Sequence, residues 1–259
     1  MLPDRKSSPI RSALIIAHPG HELRVFGWYE QARPTTFVLT SGSRNGDNGR
    51  TSLSRDLACQ TRSSIGSLFG RYLDRQIYEA ILEHEVSLFA DWASELTDAL
   101  VDLRPELVVA DGWQFYNVAH DLVHLMARLA VERAGRQLGR NIELVEFDVA
   151  PRSLGEMPPQ GPEAFRLELD DVAFLRKQTQ ANRPEIREEF MNLVALEGLP
   201  AQQTEVFRKP LELGTIMSSA PVVPLYERFG EERVAAGIYR ECIRWHDHVR
   251  PVVDAIRGS

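Results

Sequence analysis

Three histidines stand shortly after short apolar runs of the chain, at spacings that suit a shared metal ion. His18 and His21 lie three residues apart in the segment 17–22, and His120 follows the apolar run 107–110. Imidazole is a common ligand of Zn²⁺, and a catalytic zinc usually has three protein ligands and a water molecule. The sequence therefore predicts one Zn²⁺ per chain, held by His18, His21 and His120.

These histidines need a structural element that brings them together, and the hydrophobic pattern predicts a sheet edge. Apolar runs alternate with stretches of helical periodicity, which is typical of right-handed βαβ units. The expected fold class is α/β, a Rossmann-like, mostly parallel sheet with helices on both faces, followed by a helical C-terminal extension. Open α/β sheets bind their ligands at the carboxyl ends of the strands. Strands are predicted at 13–17, 36–39, 107–110 and 142–147, and helices at 21–31, 52–65, 74–103 and 120–138.

Several carboxylates lie close to these histidines in sequence. Asp111 follows the third predicted strand directly, where it is a candidate general base, metal ligand, hydrogen-bond partner for a ligand imidazole, or turn-forming residue. Glu22 and Asp121 are further candidates to accept a proton, although Asp121 also suits a helix start. His124 lies one helical turn after the third histidine, where it could be a fourth metal ligand or a group that supports a ligand; alternatively it faces solvent or packs within its helix.

The two histidine motifs resemble those of the LmbE-like (PIG-L) family of zinc-dependent N-acetylglucosaminyl deacetylases. Members carry Ala-His-Pro-Asp-Asp-Glu after the first strand and His-Pro-Asp-His before a later helix. In that family the first His, the second Asp and the last His bind the metal, and the first Asp is the general base. The resemblance implies that His18, His21 and His120 bind the metal, and Glu22 matches the family's Glu. It covers the strand order and spacing of about residues 13 to 148.

His21 replaces the second Asp of the family pattern, and two further matches fail. Gly20 stands where the general base belongs, and Asn117 stands where the family often has an assisting His. If the chain hydrolyses amides, Asp111, Glu22 or Asp121 must therefore accept the proton of the attacking water.

Substrate contacts are also implied by the resemblance. Arg55 matches, loosely, a segment of the second helix that contacts substrate in the family, and Asp74 matches an acidic residue that binds sugar hydroxyls. Asn117 is the third expected substrate contact. The loop 41–50, rich in turn-forming residues, is a candidate substrate loop and equally a plain solvated turn.

The resemblance implies a metal-dependent hydrolase that removes an N-acyl group, most simply acetyl, from an amino sugar or a related glycan precursor. The alternative is a catalytically degenerate LmbE-like protein that binds metal or ligand in a biosynthetic pathway. Gly20 separates the two functions, because loss of a positioned general base commonly costs on the order of 10²–10⁴ in rate.

Length and composition set the expected organisation. The chain has 259 residues, 43% of them hydrophobic, enough for one large domain. We expect a disordered N-terminus over 1–10 and a single α/β domain over 11–259, with an LmbE-like core at about 13–150. The Pro- and Gly-rich segment 151–162 is the one plausible boundary, and 163–259 is the C-terminal extension.

Charge and cysteine content indicate the surroundings. A formal net charge of −7 argues against nucleic acids and anionic membranes as partners. The partner that the resemblance implies is a small-molecule or glycan substrate. The two cysteines suggest neither a disulfide framework nor a cysteine zinc site, and no apolar run is long enough to span a membrane. We therefore expect a cytoplasmic protein. A homo-oligomer formed through the C-terminal helices is a further expectation.

Overall fold

One mixed β-sheet organises the chain. The computed structural model describes residues 10–43 and 49–258. The order across the sheet is β3-β2-β1-β4-β5-β7-β6; the pairs among the first five strands are parallel, and β7 is antiparallel to both of its neighbours. The predicted α/β class with a mostly parallel sheet is confirmed. In the described ranges the strands are β1 (Ser12–Ile16), β2 (Thr35–Thr40), β3 (Ser64–Tyr72), β4 (Leu107–Asp111), β5 (Glu143–Phe147), β6 (Glu163–Glu168) and β7 (Thr204–Arg208).

Helices cover both faces of this sheet. The central strand β1 shows why: Ala13 and Ile15 belong to one buried apolar cluster, whereas Leu14 and Ile16 belong to the other. Successive side chains of a strand point to opposite faces, so a continuous apolar run is needed when both faces are covered. The α-helices of the described residues are α1 (Phe26–Ala32), α2 (Gly49–Thr61), α3 (Asp74–Leu82), α4 (Val86–Leu103), α5 (Val118–Leu138), α6 (Asp171–Ala181), α7 (Arg187–Glu197), α8 (Leu213–Ser218), α9 (Leu225–Ala235) and α10 (Arg250–Gly258).

Two predicted helices in the first half were wrong in extent. The helix predicted over 74–103 is two helices, α3 and α4, and the chain turns between them where His84 has a φ of 53°. The helix predicted to end at residue 65 ends earlier, and the chain then forms β3. This edge strand lacks apolar alternation, and its Gly66 lies so close to the ring of Phe37 that a Cβ there would overlap the ring.

The C-terminal third also contains more than helices. It supplies β6 and β7, which extend the sheet beyond β5. Its last part is not one continuous helix: α9 ends at Ala235, and a π-helical turn at Trp245–Val249 precedes α10.

Some expectations concern features that the described residues leave untested. The expected disordered segment 1–10 lies outside them except for Ile10, and so does the middle of the loop 41–50, at 44–48. The single domain over 11–259 and the homo-oligomer through the C-terminal helices stay predictions. None of the described helices combines the length and the hydropathy needed to cross a membrane.

Candidate functional site

His18, His21 and His120, called here the histidine cluster, lie together just beyond the carboxyl ends of β1 and β4. The ring centroids are 5.3 Å apart for His18 and His21, 5.0 Å for His18 and His120, and 4.6 Å for His21 and His120. All three side chains are buried. Three imidazoles bound to one tetrahedral zinc, at Zn–N distances of about 2.0 Å, have ring centroids about 5 Å apart. The spacing of the rings therefore fits a shared metal ion.

Asp111, the last residue of β4, holds one of these rings. Its Oδ2 accepts hydrogen bonds from the backbone N–H of Ala17 and from His21 Nδ1, both at 2.8 Å. Burial alone would lower the pKa of His21, but Asp111, together with Glu189 and Glu22, raises that pKa above its usual value. Because Nδ1 is engaged, Nε2 is the nitrogen of His21 left for a ligand. Asp111 is thus the hydrogen-bond partner of the His21 imidazole, which is one of the alternatives that the sequence left open.

His18 is held in a similar way by the end of β2 and the start of α3. Its Nδ1 lies 2.7 Å from Thr40 Oγ1 and 3.2 Å from Asp74 Oδ1. Burial raises the pKa of Asp74, but His18 and Thr40 outweigh this effect and hold the pKa below its usual value. Asp74, expected to contact substrate, therefore lies against a ring of the cluster, and its contact with substrate stays a prediction.

His120 lies in the first turn of α5, and its surroundings keep it neutral. Burial, followed by His21 and His18, lowers the pKa of His120 well below its usual value. Its Nδ1 is buried and has no hydrogen-bond partner among the described residues. A buried polar atom without a partner is uncommon and calls for an explanation, such as a ligand. A neutral imidazole is also the form that binds a metal ion.

The donor atoms of the site, unlike the ring centroids, are not arranged around one point. No group of three or more His, Cys, Asp or Glu side chains in residues 10–43 and 49–258 has the arrangement needed to hold a metal ion. The residue types, the ring spacing and the neutral His120 fit zinc, whereas the imidazoles would have to rotate to direct their nitrogens at a single ion. The expected zinc therefore stays a prediction.

Glu22, expected as a candidate base, accepts a hydrogen bond through each of its oxygens. Its Oε2 accepts a hydrogen bond from the backbone N–H of Gly20 at 2.8 Å, and its Oε1 accepts one from the hydroxyl of Ser54 in α2. The side chain is completely buried; burial raises the pKa of Glu22, although Ser54 opposes this shift. Glu22 thus fixes the turn that carries two of the histidines, and its role as a base stays a prediction without geometric support.

The polar residues of α5 also serve its structure. Asp121 Oδ1 accepts hydrogen bonds from the backbone N–H groups of Gln114 and Phe115, at 2.9 and 3.2 Å. Burial raises the pKa of Asp121 to about 8, although these bonds oppose the shift. His124 Nδ1 lies 3.0 Å from the backbone oxygen of Asp111, so it packs within the fold, as one of its two alternatives expected.

The remaining two expected substrate contacts have other partners. Asn117 caps α5, since its Oδ1 accepts a hydrogen bond from the backbone N–H of Ala119 at 2.9 Å. Arg55 is exposed on α2, with its guanidinium carbon 4.7 Å from the ring centroid of Phe69. Among the described residues it makes no contact with the histidine cluster. Contact with substrate stays a prediction for both.

Gly20 has a backbone conformation that explains its lack of a side chain. Its φ is 106°, in the region that favours glycine, and a Cβ on this residue would lie 2.7 Å from Ile186 Cδ1. Ile186 precedes α7 directly. The C-terminal extension therefore fills the space beside the position where the resemblance expects a catalytic carboxylate.

One carboxylate at this site, on α7, was not predicted from the sequence. Glu189, in the first turn of α7, lines a small cavity together with Gly20 and His21. Its Oε2 accepts a hydrogen bond from Arg50 Nη2 at 2.6 Å, and the two residues are 139 positions apart. A single sequence carries no periodicity or motif from which such a distant pair can be predicted.

Comparison with known proteins gives structural likenesses alone. No protein-family model and no curated protein sequence matches this chain. It is similar to a conserved protein from Thermus thermophilus, with 19% identity, a TM-score of 0.49, and coverage of 78% of this chain and 95% of that chain. It is also similar to the N,N'-diacetylchitobiose deacetylase of Pyrococcus horikoshii, with 14% identity, a TM-score of 0.47, and coverage of 77% of this chain and 83% of that chain. A third similar structure is the zinc-inhibited form of teicoplanin deacetylase, with 11% identity, a TM-score of 0.46, and coverage of 74% of this chain and 90% of that chain. Likenesses of this strength carry no argument about chemistry, which must come from the site itself.

Proposed function

We propose that this protein is a zinc-dependent amide hydrolase of the LmbE-like type, which removes an N-acyl group, most simply acetyl, from an amino sugar or a related glycan precursor. The observation that carries the proposal is the histidine cluster, whose buried rings lie 4.6 to 5.3 Å apart at the carboxyl edge of the sheet. His18, His21 and His120 would hold the zinc ion. When bound, zinc polarises an amide carbonyl and lowers the pKa of a water molecule.

The residues behind the cluster support this function because they fix the rings. Asp111 accepts from one imidazole, and Thr40 and Asp74 lie against another. Metal-binding histidines usually direct their second nitrogen to a carboxylate or another oxygen, which fixes the tautomer and raises the basicity of the ligand. Two of the three histidines have this arrangement.

An aromatic side chain beside the cluster supports a sugar or acyl substrate. The ring centroid of Tyr116 lies 6.0 Å from that of His120, and the side chain is only partly buried. Trp113 and Phe115, by contrast, are buried and pack on Trp245. Tyr116 therefore offers a partly exposed aromatic ring next to the histidine cluster, and such a ring can pack against the face of a sugar.

One observation favours the second function, metal or ligand binding without hydrolysis. Gly20 stands where the resemblance requires the general base, and Ile186 leaves little room for any side chain there. If no other carboxylate accepts the proton, the loss commonly costs on the order of 10²–10⁴ in rate.

The test measures bound metal and amide hydrolysis on the same preparation. Protein freed of metal with a chelator is reloaded with Zn²⁺, its metal content is determined by mass spectrometry, and acetate release is followed on a panel of N-acetylated amino sugars. We expect about one zinc per chain and zinc-dependent acetate release. Bound zinc with no hydrolysis of any member would favour the second function. Failure to bind zinc at all would overturn the zinc-dependent hydrolase and leave only ligand binding without a zinc ion.

A further inference from the structure

The carboxylates nearest to the histidine cluster in sequence, Glu22, Asp111 and Asp121, are completely buried in the fold. Both oxygens of Glu22 accept hydrogen bonds within the turn at Gly20 and from α2. Asp111 is completely buried and accepts two bonds through Oδ2, while its Oδ1 is buried and has no hydrogen-bond partner among the described residues. A proton acceptor for hydrolysis must reach the water that attacks the substrate, so it needs an oxygen on the open side of the site.

Glu189 differs from these groups in its position. It lines the cavity that Gly20 and His21 also line, and 38% of its side chain is exposed. Glu189 is therefore a partly exposed carboxylate beside Gly20 and His21.

Arg50 holds Glu189 over the site. The side chain of Arg50 passes so close to Gly42, just beyond β2, that a Cβ on Gly42 would lie 2.8 Å from Arg50 Cδ. Its guanidinium then reaches Glu189 at 2.6 Å, and its charge also acts on Asp74 beside His18. The ion pair thus links the first turn of α2 to the first turn of α7.

The start of α7 accounts for both the missing side chain and its replacement. Ile186, directly before α7, occupies the space beside Gly20, and Glu189 lies three residues later, in the first turn of that helix. We propose that Glu189, held by Arg50, accepts the proton of the attacking water in place of the carboxylate absent from position 20. This inference rests on the proposed function and identifies the residue that would make it possible.

The proposed step balances without any further reagent. One proton of the water moves to a carboxylate oxygen of Glu189 while the water oxygen bonds to the amide carbon and the carbonyl π electrons move to the carbonyl oxygen. The proton on Glu189 then passes to the amide nitrogen as the carbon–nitrogen bond breaks and the carbonyl re-forms. The products are the free amine and the carboxylic acid, and the carboxylate of Glu189 is regenerated.

The test compares Glu189→Gln with Glu188→Gln, a matched change at an exposed position of the same helix. All variants are full-length, zinc-loaded protein, and both zinc affinity and kcat for amide hydrolysis are measured. We expect Glu189→Gln to lower kcat by roughly 10²–10⁴ with zinc affinity and melting temperature unchanged, and Glu188→Gln to behave as wild type. Glu189→Asp should recover part of the lost kcat.

A double-mutant cycle with Arg50→Met adds a second readout. If Arg50 acts by holding Glu189, its substitution should lower kcat in the wild type but have little further effect in the Glu189→Gln background. Wild-type kcat in Glu189→Gln would overturn the inference and leave the proposed function intact. Loss of zinc from Glu189→Gln would also overturn it, since Glu189 would then be a metal ligand. A zinc-loaded wild type that hydrolyses no amide would overturn the proposed function and this inference together.

Discussion

The candidate site has two halves that are built differently. The strand-end half consists of the histidine cluster and its partners Asp111 and Asp74, buried or partly buried and held by hydrogen bonds or ion-pair contacts at the ends of β1, β2 and β4. The α7 half consists of Ile186 and Glu189, which approach from the C-terminal extension, with Glu189 partly exposed and paired with Arg50.

This difference separates two tasks of a hydrolytic site. Metal ligands need a precise arrangement, and adjacent strand ends of one sheet provide it because their relative positions are fixed by backbone hydrogen bonds. A proton acceptor needs only hydrogen-bond reach to the water and an appropriate protonation state. The second task is therefore easier to move to another segment, and the pairing of Gly20 with α7 is consistent with such a move.

The largest expected effect concerns the strand-end half and is the loss of the metal. His120→Ala should reduce zinc affinity by more than about 100-fold, beyond the 10–100-fold typical when a residue that orients a ligand is lost. His246→Ala, at an exposed position away from the cluster, is the matched control. Isothermal titration with Zn²⁺ measures both. Equal affinity in the two variants would remove His120 from the metal site.

A smaller loss is expected at Asp111. Asp111→Asn weakens the bond that orients His21, so zinc affinity should fall by about 10–100-fold and kcat at saturating zinc should fall less. The Asn oxygen can still accept from the backbone N–H of Ala17. Zinc titration and steady-state kinetics separate the two effects. Unchanged zinc affinity with abolished kcat would instead make Asp111 the proton acceptor, and would contradict the role inferred for Glu189.

The buried carboxyl of Asp121 should make folding stability depend on pH. Burial raises its pKa from 3.8 to about 8, so the folded state binds a proton more tightly than the unfolded state. The contribution of this group to the free energy of unfolding is therefore complete below the unfolded pKa near 4. It is lost as the pH rises to about 8, by at most about 1.4 kcal/mol per pH unit. Asp121→Asn keeps a neutral acceptor for Gln114 and Phe115.

Urea unfolding at pH 5 and pH 8 measures this effect. The free energy of unfolding of the wild type should fall more between these values than that of Asp121→Asn, whereas Glu188→Gln should follow the wild type. Parallel changes in all three proteins would mean that Asp121 is ionised in the folded state across this range.

The next effect tests the contact between the two halves. Gly20→Asp introduces a side chain at a φ of 106° and against Ile186, so it should destabilise the protein by about 1–3 kcal/mol. Adding Ile186→Ala removes the clash with the new side chain but not the backbone strain at position 20. Once the destabilisation caused by Ile186→Ala alone is subtracted, the double variant should therefore recover part of the stability lost in Gly20→Asp. Chemical denaturation measures all three variants. A stable Gly20→Asp protein with higher kcat would show that the original position of the base is still usable.

Sequence patterns were sufficient for the strand-end half because its signals are local. The apolar runs at β1 and β4 predicted buried parallel strands, and the rule that ligands bind at the carboxyl edge then brought His18, His21 and His120 to one place. The predicted carboxylates were close by as well. Their hydrogen-bond partners were not predictable, since backbone N–H groups such as that of Ala17 leave no mark in the sequence.

The α7 half was not predictable for a different physical reason. The pair of Arg50 and Glu189 depends on how β6, β7 and the helices between them pack against the sheet. β6 lies at the sheet edge, and neither β6 nor β7 contains a continuous apolar run such as those that revealed β1 and β4. No signal in the sequence therefore indicated that the C-terminal extension contributes residues to the site.

The smallest expected effect is at a helix cap, and it can be measured by comparing the caps of α5 and α6. Asn117 Oδ1 accepts from Ala119 N–H at the start of α5, and Asp170 Oδ1 accepts from Ala173 N–H at the start of α6. Replacing either residue by Ala should cost about 1 kcal/mol of stability, because a backbone donor of the first turn loses its partner.

Only α5 carries His120, three residues after its cap. Asn117→Ala should therefore also lower zinc affinity by a few-fold, about the effect of a slightly displaced ligand, whereas Asp170→Ala should leave it unchanged. Urea unfolding and zinc titration on both variants give the four values. Equal zinc affinities with equal losses of stability would mean that the cap of α5 serves the fold alone and that packing, not the cap, positions His120.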